Sequence, residues 1–260
     1  MNIYLKICDN LMNKKIKFIV FGNTLCEDEP RKCSKEIVKR VSDLIDSTGD
    51  EIKAVIIPGD LTYNGFDGSK IIGYEYGGDQ DQLSTLHNKI IKVLEHKVRI
   101  YLCAGDHDYH VKWPKCRKPI FDYIKARHKG LRYEFNINKI KGEEKKIVLK
   151  FVCLHIYPNK KSREFLKKIL LEHPTYAYIL VFHYTPIGNN IRTKDKKKLL
   201  KIISGYNIVA IICGHTHVSK SLTWMNEDTR EDYLIILASG DKFALCEYNP
   251  EENIITIEYK

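Results

Sequence analysis

Residues 101–108 read YLCAGDHD: a short apolar run, a glycine, then two carboxylates around a histidine. A run of this kind suits a strand buried on both faces, and the glycine permits the bend that ends it. Carboxylates flanking an imidazole are costly to bury unless a cation or a proton relay uses them. The same design recurs along the chain, in FIVFG-Asn23, VIIPG-Asp60, ILVF-His183 and AIICG-His215-Thr216-His217. In open α/β sheets ligands sit in the crevice at the carboxyl ends of the strands. Four of the ten histidines (His107, His183, His215 and His217) fall at such ends. The pair His215-x-His217 adds two imidazoles close enough to share a metal centre.

Working outward, the apolar runs predict strands at 16–22, 52–58, 98–103, 177–182 and 208–213. Helical periodicity places Ile37, Val38, Val41, Leu44 and Ile45 on one face of 34–46, and Leu83, Leu86, Ile90 and Leu94 on one face of 81–95. Strands alternating with helices imply βαβ units and a largely parallel sheet. The segments 131–137 and 145–154, on either side of Lys141-Gly142-Glu143-Glu144, add an antiparallel signal, and so do the successive β-rich runs of the tail. We therefore expect one domain over 1–260, with 1–15 as an amino-terminal extension, built as two mixed sheets packed face to face with helices outside.

At 260 residues the chain is long enough for a sizeable core, and no apolar run approaches the ~18 residues needed to cross a bilayer. Lys6, Asp9 and Asn10 interrupt the amino end, against a secretory signal. The eight cysteines form no CxxC pair, and Cys103, Cys153 and Cys213 lie inside apolar runs, which suits a reducing, cytoplasmic compartment. The net charge of +10 favours anionic partners. Lysine runs among many Ile and Asn also fit the codon bias of an AT-rich genome, so nucleic acid is the less favoured partner and no membrane is expected.

GDLTYNG at 59–65, GDHD at 105–108, FH at 182–183 and GHTH at 214–217, in that order, resemble the signature of the calcineurin-like metallophosphoesterases. The resemblance implies a four-layer αββα sandwich and a dinuclear metal centre that hydrolyses phosphate esters. It implies that Asp60 bridges both metals, that Asp106, His183 and His215 complete the second site, and that His217 serves the first. His107 would contact the scissile phosphate and assist the leaving oxygen, with Asp108 holding its imidazole. A bridging hydroxide would attack phosphorus while both cations absorb the developing charge.

The first block departs from that pattern. Asn23-Thr24-Leu25 stands where most members have Asp-x-His, so Leu25 cannot ligate and Asn23 offers only a neutral carbonyl oxygen. Together, FIVFGNTL and GDLTY resemble the purple acid phosphatase branch, which makes Tyr63 the replacement ligand. Asn23 and Asp106 also exchange the family's aspartate and asparagine, moving one negative charge to the second site. Two divalent ions (Mn, Zn or Fe) are expected, the second held more tightly than the first.

The expected activity is hydrolysis of a small phosphomonoester or phosphodiester, with nucleotides as candidates. The rival readings are a catalytically impaired binding module on the same fold and a nuclease-like phosphodiesterase. Loop 64–80, rich in Gly and Tyr, and the basic segment 114–128 are candidates for a lid and a phosphate-attracting rim, and His155 for the cleft mouth. The oligomeric state is not legible in the sequence.

Overall fold

The computed structural model describes residues 15–24, 32–62, 82–108, 117–137 and 149–260. Tyr63, loop 64–80, Leu25 and the turn at 141–144 lie outside the described residues.

The first sheet has the order β11–β10–β1–β2–β3, with β1 Ile16–Val20, β2 Ile52–Ile57, β3 Arg99–Leu102, β10 Ala244–Asn249 and β11 Ile254–Tyr259. Its β1, β2 and β3 run parallel, whereas β10 and β11 are antiparallel additions. The second sheet has the order β4–β5–β6–β7–β9–β8, from β4 Tyr133–Asn136, β5 Leu149–Cys153, β6 Ala177–Val181, β7 Ile208–Cys213, β8 Lys220–Asn226 and β9 Glu231–Leu237. Here β5, β6, β7 and β9 are parallel, and β4 and β8 are antiparallel edges. Both sheets are mixed, as expected.

Three apolar clusters follow from this layering. Phe18, Val20 and Ile56 of the first sheet meet Phe151, Ile179 and Ile212 of the second in the central layer. Outside the first sheet lie α1 Lys32–Thr48, the helical run α2 at 82–95, and α3 Arg117–His128. Outside the second lie α4 Lys160–Glu172 and α5 Thr193–Ile203. Neither α4 nor α5 was anticipated from the sequence, although Leu166, Ile169 and Leu170, and then Leu199 and Ile203, line their inner faces. Lysine-rich composition masked that periodicity.

The helix expected over 81–95 is interrupted. Gln82–Leu86 and Lys92–Glu95 flank a π-helical turn at His87–Ile91. The wider turn brings the consecutive residues Ile90 and Ile91 both into the core. Among the described residues no helix is long and apolar enough to cross a membrane.

At the edge of the first sheet, the Leu102 N–H donates to His128 Nε2 (3.2 Å), and the Tyr133 hydroxyl donates to the Leu102 carbonyl (2.8 Å). The His128 ring stacks on Tyr133 at 4.4 Å. Burial, aided by the Arg127 charge, pushes the His128 pKa from 6.5 down to about 4. An acceptor nitrogen cannot also carry a proton, so the fold needs His128 neutral. Its contribution to stability is complete above pH 6.5 and is lost as pH falls towards about 4. Denaturant midpoints measured across that window should fall with acid, and His128→Gln should flatten the slope. In the central layer Phe151 packs on Phe18 (5.2 Å) and Phe135 (4.8 Å). Phe151→Ala should cost about 3–5 kcal/mol in urea titrations.

Candidate metal centre

Parallel strands within each sheet end on the same rim, and the face-to-face packing of the sheets brings the two rims together. The loops that follow β2, β3, β6 and β7 are tied by backbone and side-chain bonds. Gly214 N donates to the His183 carbonyl (3.0 Å), and Asn23 N donates to the Gly59 carbonyl (3.2 Å). The chain turns sharply at each end: Asn23, Asp60, His155, His215 and His217 all have left-handed φ between 52° and 70°. Such conformations cost a non-glycine residue energy and cluster at functional sites. Two glycines permit the approach. A Cβ on Gly105 would collide with the backbone nitrogen and Oδ1 of Asp60, and one on Gly59 would collide with His183 Nδ1.

Asp60, Asp106, His183 and His215 each present one ligand atom, and these atoms lie within 4.8 Å of one another. His183 Nε2 is 2.7 Å from Asp106 Oδ1 and 3.2 Å from Asp60 Oδ1, and His215 Nδ1 is 3.0 Å from Asp106 Oδ1. The other nitrogen of His183, Nδ1, donates to the Pro58 carbonyl at 2.8 Å. That second bond turns Nε2 towards the carboxylates, the orientation typical of metal-binding histidines. Although burial disfavours its charge, the bonds and charges of Asp106 and Asp60 raise the His183 pKa to about 10. Burial likewise raises the Asp106 carboxyl, but His183 and His215 outweigh it and hold the acid well below the usual carboxylate range. The pocket therefore selects positive charge. Asp60 Oδ2 is buried with no hydrogen-bond partner among the described residues, which is the state of a carboxylate oxygen reserved for a cation. Two imidazoles and two carboxylates are a mixed N/O set suited to zinc, manganese or iron, so the residues present fit a divalent ion.

A family model described as calcineurin-like phosphoesterase matches residues 31–219. The chain belongs to that family. The fold is similar to TT1561 of Thermus thermophilus, with a TM-score of 0.54 and 10% identity over 94% of this chain and 99% of that one. A structure of Haemophilus influenzae NAD nucleotidase aligns at 11% identity over 94% of this chain and 49% of its own, with a TM-score of 0.47. No curated protein sequence matches the chain significantly.

Asp108, expected to hold the His107 imidazole, ties two loops of the centre together. Its Oδ1 accepts from Thr62 N and Thr62 Oγ1 (both 2.9 Å), and its Oδ2 from Gly105 N (2.8 Å) and Leu61 N (3.1 Å). Both oxygens are thus engaged in pinning the Asp60 loop to the Asp106 loop. Complete burial, with the Asp60 charge nearby, pushes the Asp108 pKa up to about 6 despite these bonds. The His107 amide adds a further tie, donating to Asp60 Oδ1 at 3.1 Å.

The other expected residues divide. His217 is exposed and lies outside the four-residue group. Asn23 is buried, but its Oδ1 accepts from His215 N (3.1 Å), so it braces the His215 loop, while its Nδ2 is buried with no partner among the described residues. His155 stands at the end of β5 packed edge-on against Phe121 (5.3 Å), and burial, then Arg132, pushes its pKa down to about 3. Tyr184 went unnoticed in the sequence. Its ring meets His215 edge-on at 4.7 Å, and burial, followed by the charges of Asp106 and Asp60, pushes its phenol up to about 12. Adjacency to His183 was the available signal.

Removing the clamp while leaving every ligand in place isolates its contribution. Asp108→Ala should weaken divalent-metal binding about 10–100-fold, as loss of an orienting partner typically does. Calorimetric titration of the metal-free variant measures this, and circular dichroism checks that it remains folded.

Proposed function

We propose that the chain is a metal-dependent hydrolase of small phosphomonoesters or phosphodiesters, nucleotides among them. The observation that carries this reading is the convergence of Asp60, Asp106, His183 and His215 from four strand ends, with an unpartnered Asp60 oxygen among them. A divalent ion bound there would supply Lewis-acid polarisation of the phosphoryl group. Asp60 and Asp106 would hold it by charge, while His183, oriented by the Pro58 carbonyl, presents Nε2 in a fixed direction. His107, whose amide is tethered to Asp60, would carry its imidazole beside the substrate and donate a proton to the departing oxygen.

We further propose two unequal metal sites within one domain, the second built on this four-residue group and the tighter. His217 and Tyr63 are the residues proposed for the first. With the Asn23 oxygen engaged by His215 N and no charge to offer, the first site has the weaker ligand set. That same feature favours the impaired binding module as the second reading. Purified protein separates them: a catalyst hydrolyses p-nitrophenyl or bis-p-nitrophenyl phosphate when supplied with Mn, Zn or Fe, and a binding module holds at most one ion and hydrolyses neither.

Asp60→Asn should lower turnover by at least about 100-fold and weaken metal uptake, because it removes a charged ligand and the reserved oxygen together. His107→Ala should lower turnover about 100-fold with metal content unchanged, the usual size of a general-acid contribution. Steady-state kinetics beside elemental analysis reads both, and full activity in either variant overturns the assignment.

A further inference from the structure

Outside the metal centre, the most uneven feature of the molecule is the charge on its second helical layer. Together α4 and α5 carry ten Lys or Arg against three Asp or Glu, so this one layer holds most of the chain's net charge of +10. Arg163 and Asp195 bond each other in the interior (2.8 Å) and so contribute no net charge to the surface. Among the described residues only two glutamates face the remaining lysines, in the wide pairs Lys160–Glu164 (3.9 Å) and Lys168–Glu172 (3.7 Å).

On α5 the exposed lysines are Lys194, Lys197, Lys198 and Lys201. Their spacing of three, four and seven residues stacks them on one stripe, opposite the buried Leu199 and Ile203. Lys161 and Lys167 continue the basic surface on the neighbouring α4. These six take part in no ion pair among the described residues. Like charges at these spacings repel one another and weaken the helix that carries them. Lys194 also lies in the first turn of α5, where the helix field opposes positive charge. Water and salt screen this repulsion only in part, and an external anion laid along the stripe would relieve it further.

The shape of the patch narrows the class of anion. Ammonium groups spread along two helices match a repeating polyanion better than a single phosphate. Leu171 is the one large apolar side chain exposed on these helices, at 61%, which leaves too little apolar surface for insertion into a membrane. Their exposed positions include no aromatic ring on which bases could stack. We propose that the α4–α5 face binds the phosphate backbone of a nucleic acid without reading its bases. This surface does not rest on the hydrolytic reading, and the test is arranged to keep the two apart.

Fluorescence anisotropy of labelled oligonucleotides, single-stranded and duplex and of mixed sequence, is measured on Asp60→Asn protein so that cleavage plays no part. Binding should be independent of sequence. If about four phosphates are neutralised, log K should fall with log salt at a slope of about −3 for a single strand. Reversing the stripe (Lys194→Glu, Lys197→Glu, Lys198→Glu and Lys201→Glu together) should weaken binding more than tenfold and flatten the slope. Lys35→Glu, Lys39→Glu, Lys89→Glu and Lys92→Glu make the same charge change on the opposite layer and should retain most of the affinity. Circular dichroism monitors folding, and if the reversed stripe fails to fold, the four Lys→Gln changes replace it with the same expectation. Absence of binding at low salt, equal losses in both quadruple variants, or binding of phosphatidylserine vesicles but not oligonucleotides overturns the proposal. Hydrolysis of p-nitrophenyl phosphate by the reversed stripe with Asp60 intact reports on the metal centre separately.

Discussion

Two carboxylates, Asp60 and Asp106, meet at the same imidazole edge in a pocket where Asp60 and His183 are almost wholly removed from water. Like charges held this close in a low-dielectric interior require a cation between them. A proton on His183 meets that need in part, and a divalent ion meets it more fully because Asp60 retains an oxygen with no partner among the described residues. Much of the surrounding structure serves to hold this unfavourable juxtaposition together. The left-handed turns, the glycines that admit the Asp60 loop, and the four bonds to Asp108 are all costs or constraints directed at one point.

Asp108 shows how a third carboxylate is used without adding to the ligand set. Buried at the back of the pocket, it gathers N–H and O–H donors from two loops that are far apart in sequence. Its negative charge is tolerated because those donors replace the water it has lost. Asn23 acts similarly across the sandwich: with its backbone on the Gly59 carbonyl and its side chain on His215 N, it joins the first sheet to the second. Asn23, expected to be a weak ligand, also works as a brace for the loop that carries His215.

Where apolar periodicity was clean, the sequence was legible. The runs leading to Asp60, Asp106, His183 and His215 are strands that end just before those residues, because the buried part of a strand must be apolar and the first polar group after it lies at its rim. However, β3, read as buried on both faces, is instead an edge strand with Arg99 exposed and Tyr101 half-buried. The helices α4 and α5 were not read, since lysines crowd their exposed faces and obscure the spacing of Leu166, Ile169, Leu170, Leu199 and Ile203. The interruption at His87–Ile91 was equally hidden, because a π turn shifts the register of an otherwise regular helical pattern by a single residue.

From its residues alone the chain declares a two-sheet α/β fold and a set of carboxylate and imidazole groups at strand ends, because hydrophobic periodicity and residue chemistry are local properties. Which of those groups meet is decided by tertiary packing. Sequence order cannot say that Asp108 and Asn23 spend their oxygens on neighbouring loops, that His217 stands outside the four-residue group, or that Tyr184 leans on His215. Those outcomes depend on the angles at which strand ends from two separate sheets converge, and such angles follow from how the apolar layer between the sheets is filled.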